Sequence, residues 1–284
     1  MLRFLLPYTR DVFSRVGDLE IPFNRHGIDP YGVDQRDVAR FLTFLRFVYR
    51  DYLTAEVFGV ENVPVKGRGM LVGNHSGGYP VDAGMVIASC FFEMNPPRLA
   101  QGMADKFLSA LPFSSEIFAR IGQFTGLPEH SERLLNDERL LMIFPEGHRG
   151  TSKLGYEADK LLKFGTGFMR QALATNSPVI PFAFVGAGEI IPTIKNLEGP
   201  AKLLGIPYIP VTKYGPPIPL PKSFQLLYGE PMMFEGNGNE SDVEIEEMVE
   251  QVRNQIQWLI QQGRDLREGR MKLSDLDLSH HSAR

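Results

Sequence analysis

The chain lacks most of the features that quickly reveal a protein's class. It has 284 residues but a single cysteine, Cys90, so it forms no internal disulfide, which fits a reducing compartment. No apolar run approaches the ~20 residues that a membrane-spanning helix needs. The uncharged stretch 83–92 has only half that length. Neither a signal peptide nor an internal repeat is recognisable, so we expect a soluble or peripheral protein.

Several binding and catalytic motifs are also missing. There is no G-x-x-x-x-G-K-[ST] motif, and residues 165–167 lack the third glycine of a dinucleotide-binding loop. The G-x-S-x-G elbow of α/β-hydrolases is absent, because residues 73–77 place serine one position too late. No group of His, Asp and Glu has the spacing of metal ligands. The net charge of −4 argues against a nucleic-acid partner. We therefore expect no metal, no cofactor and no nucleic acid.

The apolar residues that are present predict the fold class. With 43% hydrophobic and 23% charged residues, the composition is that of a globular protein with a sizeable core. Short, mainly apolar runs typical of strands alternate with helical patterns; the runs are 70–72, 98–100, 140–144, 179–185 and 224–228. This alternation predicts an α/β fold, with a single mixed, mainly parallel sheet flanked by helices and an N-terminal helical segment.

The N-terminal segment is expected to span residues 1–60. Prolines and glycines predict that residues 1–36 are irregular, whereas apolar residues at spacings of three and four predict a helix over 36–58. That helix is rich in aromatic residues and arginine. It suits either a membrane interface or packing on the main domain.

Residues 61–235 are expected to form the α/β core. Within it the proline-dense stretch 198–222 predicts an ordered flap without regular elements. An amphipathic helix is expected over 236–267, opened by a capping box of Ser241 and Glu244. Residues 268–284 form a polar tail.

The stretch 69–82 carries the first group of chemically active residues. His75 follows a short buried strand, and Asp82 lies in the first turn of a helix that is predicted to start at Pro80. A carboxylate on one imidazole nitrogen fixes the tautomer and leaves the other nitrogen free to accept a proton. The same residues also fit a solvated turn followed by an ordinary helix start.

A second polar segment, residues 144–149 (Phe-Pro-Glu-Gly-His-Arg), follows a predicted strand. The carboxyl ends of strands are where α/β sheets place their sites. Residues 147–170 hold five basic and two acidic residues within an acidic chain. Such a cluster suits a phosphate-bearing ligand, with Arg149 and Lys163 as candidates. A solvated basic face is the alternative.

Together the two motifs resemble the phospholipid/glycerol acyltransferase superfamily, which is marked by an NH-x4-D block and an FPEG block. Here they read Asn74-His75…Asp82 and Phe144–Gly147, about seventy residues apart and followed by the block 179–181. Four further blocks resemble its bacterial monoacylglycerol and diacylglycerol acyltransferase-like branch: 26–32, 61–64, 203–208 and 228–231. The likeness covers roughly residues 22–235.

The chain departs from the family pattern at two places. The family aspartate lies five residues after the histidine, where this chain has Pro80; Asp82 lies seven residues after His75. Two glycines, Gly77 and Gly78, can loop out the extra length. The block that usually supplies an arginine for glycerol 3-phosphate reads GQFTGLP over 122–128 and has no basic residue. This favours a less charged lipid hydroxyl as acceptor.

The resemblance implies transfer of a fatty acyl group from acyl-CoA or acyl carrier protein to a hydroxyl of a glycerolipid or lysophospholipid. It assigns His75 as general base and Asp82 as the residue that orients it. The predicted substrate-binding residues are Asn74, Glu146, Gly147, Arg149 and Lys163. The expected location is cytoplasmic, at the inner face of a membrane.

Two other functions fit the same residues. A lipid esterase or thioesterase would use the His–Asp pair to activate water. A non-catalytic lipid-binding protein would use only the helix 36–58.

Overall fold

The computed structural model of the protein describes residues 2–77, 80–104, 114–203, 208–215 and 218–279. The helices are Leu2–Val16 (α1), Gln35–Arg46 (α2), Val81–Phe92 (α3), Ser114–Arg120 (α4), Pro128–Asn136 (α5), His148–Thr151 (α6), Gly167–Ala174 (α7), Ala187–Ile190 (α8), Glu198–Leu203 (α9) and Asp242–Arg267 (α10). The strands are Thr54–Phe58 (β1), Gly69–Gly73 (β2), Ala100–Ala104 (β3), Phe124–Thr125 (β4), Leu140–Ile143 (β5), Val179–Val185 (β6), Thr193–Leu197 (β7), Ile209–Thr212 (β8) and Ser223–Tyr228 (β9).

Seven strands form one sheet in the order β1-β9-β6-β2-β5-β3-β4. Adjacent strands are parallel except for β6 and β9, which are antiparallel. β7 and β8 form a separate antiparallel pair. The predicted mixed, mainly parallel α/β sheet is therefore confirmed.

The central strands are apolar along their whole length because both faces of the sheet are covered. In β2, Leu71 belongs to a buried cluster on one face that includes side chains of α2 and α3. Its neighbours Met70 and Val72 belong to a second cluster, which includes side chains of α7 and α10. Successive strand residues point to opposite faces, so a strand buried on both sides reads as a continuous apolar run.

The C-terminal helix α10 begins where its capping box predicts. The Ser241 hydroxyl accepts a bond from the Glu244 N–H, and the Glu244 carboxylate accepts the Ser241 N–H at 3.0 Å. The buried residues Ile245, Val252 and Ile256 form its inner face. This helix covers β6 and β9.

The prediction that residues 1–36 are irregular is wrong for its first half, which forms α1. A proline inside a helix removes one backbone hydrogen bond. Burial of an apolar face supplies most helix stability in proteins, and Val12 and Val16 of α1 are 2% and 0% exposed. Packing of α1 against α2 therefore outweighs the local effect of Pro7.

The predicted helix over 36–58 is also too long. α2 ends at Arg46, a π-helical turn continues to Tyr52, and Thr54–Phe58 is strand β1, paired in parallel with β9. Apolar residues at helical spacing continue through Leu53, so periodicity alone does not show the change. The segment set apart as 1–60 thus contributes an edge strand to the main sheet.

The stretch 198–222 contains regular elements that its prolines do not predict. Glu198–Leu203 is helical, and β8 pairs with β7, a strand that the sequence analysis missed. Residues 280–284 of the predicted polar tail, which include His280 and His281, lie outside the described residues.

A buried ion pair joins the loop before α2 to the start of β5. Arg139 Nη2 lies 3.0 Å from Asp29 Oδ2, and both residues are 5% exposed. Asp29 also accepts the N–H groups of Tyr31 and Val33. Removing one partner of a buried pair leaves the other charge uncompensated.

We expect Arg139→Met to lower the free energy of unfolding by about 3–5 kcal/mol, measured by urea denaturation. Arg133→Met is the matched control, because Arg133 is exposed and also lies near the ring of Tyr31. In the control, the free energy of unfolding should fall by less than about 1 kcal/mol. Equal losses in the two variants would show that the Asp29–Arg139 pair contributes nothing of its own.

Candidate active site

The loops that follow β2 and β5 meet at one edge of the sheet. The two strands are parallel and adjacent, so their carboxyl ends lie at the same edge. His75 comes two residues after the end of β2, and Glu146 three residues after the end of β5. The two sequence motifs are therefore brought together by strand pairing.

His75 and Asp82 form a direct contact despite their long spacing. His75 Nδ1 lies 2.7 Å from Asp82 Oδ2, and the Ser76 N–H and hydroxyl each donate to the same oxygen at 2.8 Å. Asp82 lies in the first turn of α3. Gly77 has a φ of 85°, which favours glycine and lets the chain turn between the two residues.

The surroundings of Asp82 favour its charged form. Burial alone would raise the pKa of this 1% exposed carboxyl group. The positive charge of His75, its hydrogen bond and the two bonds from Ser76 outweigh burial, so the pKa of Asp82 lies below its ordinary value. A charged carboxylate only accepts hydrogen bonds, so Nδ1 of neutral His75 must carry the proton. Nε2 is then the basic nitrogen.

The imidazole of His75 is held on a second side by an aromatic ring. The rings of His75 and Phe144 are stacked, with centroids 4.2 Å apart and planes 19° from parallel. Phe144 in turn meets the edge of Phe182. Within the described part of the chain, Nε2 makes no hydrogen bond.

Glu146 lies beneath the His75 loop. It is 2% exposed, and its carboxylate accepts the N–H groups of His75 at 3.1 Å and Leu162 at 3.0 Å. It also forms an ion pair with Lys153, with Nζ 2.6 Å from Oε2. Lys153 donates a further bond to the His75 carbonyl at 2.7 Å. The loops after β2 and β5 are thus joined by one buried network.

Close packing allows no side chain at Gly150. A Cβ on Gly150 would lie 2.6 Å from the Cβ of His75 and 2.9 Å from that of Glu146. The backbone of α6 therefore lies directly against the histidine. The site depends on this glycine as well as on its polar residues.

Asn74 is fully buried and bonds to the backbone of β6. Its amide nitrogen donates to the Phe184 carbonyl at 2.9 Å, and its oxygen accepts the Phe184 N–H at 2.8 Å. These contacts hold the exit of β2 against β6. Asn74 thus has a structural role, and its predicted contact with substrate stays a prediction.

Gly147, Arg149 and Lys163 lie on the surface next to this network. Gly147 has a φ of 59°, and no atom lies within 4 Å of the position that a Cβ would occupy. Arg149 Nη2 donates to the Lys163 carbonyl at 3.1 Å. The Lys163 side chain is 77% exposed, with Glu246 3.7 Å away. The Arg149 guanidinium thus lies against the main chain of Lys163, whereas the Lys163 ammonium lies near the Glu246 carboxylate.

The sequence analysis missed three residues of the site: Ser76, Gly150 and Lys153. Lys153 was counted only as one of several basic residues, because sequence does not show that it is 4% exposed. Serine and glycine are common in loops, so their types alone carried no signal. Their roles follow from contacts between segments about seventy residues apart.

Two further observations concern the chemistry that is available. Among the residues described, no group of three His, Cys, Asp or Glu side chains is placed to hold a metal ion. In the same ranges, no helix has the length and apolar character needed to cross a membrane.

Comparison with known proteins gives the class of this chain. Residues 54–185 match the family model described as Acyltransferase. An uncharacterised protein of Mycobacterium tuberculosis is 30% identical over 243 residues, which cover 82% of this chain and 68% of that protein. One from Mycobacterium leprae is 31% identical over 241 residues, covering 81% and 66%.

A solved structure shares the fold. The 1-acyl-sn-glycerophosphate (LPA) acyltransferase PlsC from Thermotoga maritima aligns over 94% of this chain and 90% of its own, with a TM-score of 0.56 and 17% identity. The family model defines an acyltransferase enzyme, and the structural match shows a shared fold. The chain belongs to the phospholipid/glycerol acyltransferase superfamily, as its two motifs predict.

The low pKa of Asp82 predicts how stability depends on pH. Folding lowers this pKa, so the charged carboxylate stabilises the protein above the pKa of the unfolded state. That contribution is lost as pH falls through the lower pKa of the folded state. In urea denaturation, the difference in unfolding free energy between wild type and Asp82→Asn should therefore narrow in acid.

The exposed Asp11 provides the control for this experiment. Asp11→Asn should differ little from wild type at any pH. If the difference in unfolding free energy between wild type and Asp82→Asn stayed constant as the pH was lowered, the assigned charge of Asp82 would be contradicted.

Proposed function

We propose that the protein transfers a fatty acyl group from a thioester to a hydroxyl group of a glycerolipid or lysophospholipid. The observation that carries this proposal is the buried His75–Asp82 contact of 2.7 Å in a chain of the acyltransferase family. Because Asp82 is charged and accepts a hydrogen bond from the Nδ1–H group of His75, Nε2 is the basic atom.

In the proposed reaction, Nε2 takes the proton of the acceptor hydroxyl as its oxygen attacks the thioester carbonyl carbon. A C–O bond forms, the C–S bond breaks, and the thiolate leaves with the proton that His75 had taken. Asp82 stabilises the imidazolium between these steps. General-base help of this kind contributes typically ~100- to 10,000-fold to the rate. The Gly77 N–H is a candidate donor to the developing oxyanion; Gly78, the other candidate, lies outside the described residues.

The exposed residues next to the network are the proposed substrate contacts. We assign Arg149 and Lys163 to a phosphate of the donor or acceptor, because both are exposed and basic. Gly147 supports an approaching ligand, because no atom lies within 4 Å of its Cβ position. Asn74 and Glu146 are buried. We therefore assign them to holding the loops, whereas the sequence analysis assigned them to substrate. The proposed donor is acyl-CoA or acyl carrier protein.

We also propose that the protein works at the cytoplasmic face of a membrane as a peripheral protein. α2 supports this, because it packs Val38, Leu42 and Leu45 inward and leaves Phe44 46% exposed. Phe47, just after α2, is 37% exposed. The helix can therefore pack on the main domain with one face and contact a membrane interface with the other. Aromatic residues beside basic ones are typical of helices that lie in a membrane interface.

The test is thiol release from acyl-CoAs of several chain lengths, with and without monoacylglycerol or lysophospholipid. We expect release that depends on the acceptor and that falls by at least about 100-fold in His75→Ala. His130→Ala is the control, because His130 is exposed on α5. It should keep the wild-type rate. Acyl carrier protein thioesters extend the assay to the second donor.

The other outcomes decide between the alternatives. Release that is lost in His75→Ala but does not need an acceptor would indicate a thioesterase. Binding to lipid vesicles with no release from either donor would indicate a lipid-binding protein. Full transfer by His75→Ala would refute the assignment of the base.

A further inference from the structure

Lys153 is buried in a way that distinguishes it from the other basic residues of its segment. It is 4% exposed, whereas Lys160 is exposed and the Lys163 side chain is 77% exposed. Lysine is almost never fully buried unless it is paired. The ammonium lies between the Glu146 carboxylate and the His75 carbonyl oxygen. Its position therefore points to a role inside the protein and not at the substrate-binding surface.

The ion pair of Lys153 and Glu146 holds both backbone polar groups of His75. Glu146 accepts the His75 N–H at 3.1 Å, and Lys153 donates to the His75 carbonyl at 2.7 Å. The main chain of the histidine is thus fixed in position and direction. The ring then has only its own torsions to place Nδ1 on Asp82 and its face on Phe144.

Close packing makes this arrangement hard to relax. A Cβ on Gly77 would lie 2.5 Å from the Lys153 carbonyl oxygen, and one on Gly150 would lie 2.6 Å from the His75 Cβ. The backbones of residues 73–77 and 150–153 are therefore in direct contact. A change at Lys153 is transmitted to His75 because no intervening side chain can absorb it.

Charged groups surround the pair on several sides. Lys153 is affected by Glu146, by Asp82 of α3 and by Asp159. Burial lowers the pKa of Lys153 and outweighs these opposing carboxylates. Its ammonium offsets the charge of Glu146 beneath a histidine that has to lose and regain a proton.

We propose that Lys153 is a positioning residue for acyl transfer, which with Glu146 fixes the main chain of His75 and balances the charge beneath its imidazole. This proposal rests on the proposed function of His75 as general base. It gives Glu146 of the FPEG motif a structural task in place of contact with the acceptor.

The test compares Lys153→Met, Glu146→Gln and the double variant that combines these two substitutions. Lys160→Met is the control. We expect Lys153→Met to lower kcat by about 10- to 100-fold, because small misplacements of a catalytic group are that costly. KM for the acceptor should change by less than about 2-fold, since uniform binding is not affected. Lys160→Met should match wild type in both constants.

The pH profile provides a readout that a purely structural role would not move. Without the ammonium, the charge of Glu146 is uncompensated and stabilises the imidazolium. The acid limb of the kcat/KM profile should therefore move to higher pH in Lys153→Met and move back in the double variant. NMR titration of the His75 imidazole in each variant measures the same shift directly.

Lys153→Arg covers the case in which Lys153→Met does not fold. Arginine keeps the charge, so the acid limb should stay near that of wild type. Its larger planar group does not fit the space of the ammonium, so kcat should still fall.

Three results would overturn the proposal. The first is a wild-type kcat and acid limb in folded Lys153→Met. The second is a wild-type kcat in Lys153→Arg. The third is a rise in acceptor KM with unchanged kcat in Glu146→Gln, which would assign Glu146 to the acceptor instead. His75→Ala distinguishes failure of the proposed function from failure of the positioning role. Full activity in His75→Ala refutes His75 as the base. Loss of activity in His75→Ala together with wild-type activity in Lys153→Met refutes only the positioning role of Lys153.

Discussion

The chain that leaves β2 is buried, and each polar group of its backbone needs a partner. Residues 74–77 are all buried at the end of a strand with neighbours on both sides. An unpaired buried N–H or C=O costs about 1–3 kcal/mol. The partners come from side chains: Glu146 for the His75 N–H, Lys153 for its carbonyl and Asp82 for the Ser76 N–H. The residues of both motifs satisfy this turn, and the rest of the site depends on it.

The same constraint gives the histidine its chemistry. Asp82 has to remain charged to accept bonds from His75 and from Ser76, and a buried carboxylate with several donors keeps a low pKa. Its charge then determines which nitrogen of His75 carries the proton. A turn held by hydrogen bonds thus presents an imidazole of defined tautomer. The same carboxylate holds the turn and fixes the histidine tautomer.

The sequence predicted the sheet well because its central strands are buried on both faces and read as apolar runs. It predicted the N-terminal segment poorly, since α1 gains its stability from Val12 and Val16 packed on α2, which no local pattern shows. Within the site, residue types and order indicated His75, Asp82 and Glu146. Sequence did not distinguish a buried Lys153 from an exposed Lys163, because burial depends on contacts between distant segments. For the same reason, sequence alone did not show that Glu146 is buried.

The division between buried and exposed motif residues has a consequence for substrate choice. Asn74, Glu146 and Lys153 are committed to the turn, and a change at any of them disturbs the histidine and the fold together. Gly147, Arg149 and Lys163 lie at the surface, where substitutions usually change stability by less than about 0.5 kcal/mol. Under the proposed function, acceptor preference can therefore vary at the surface without a change in the His75 turn.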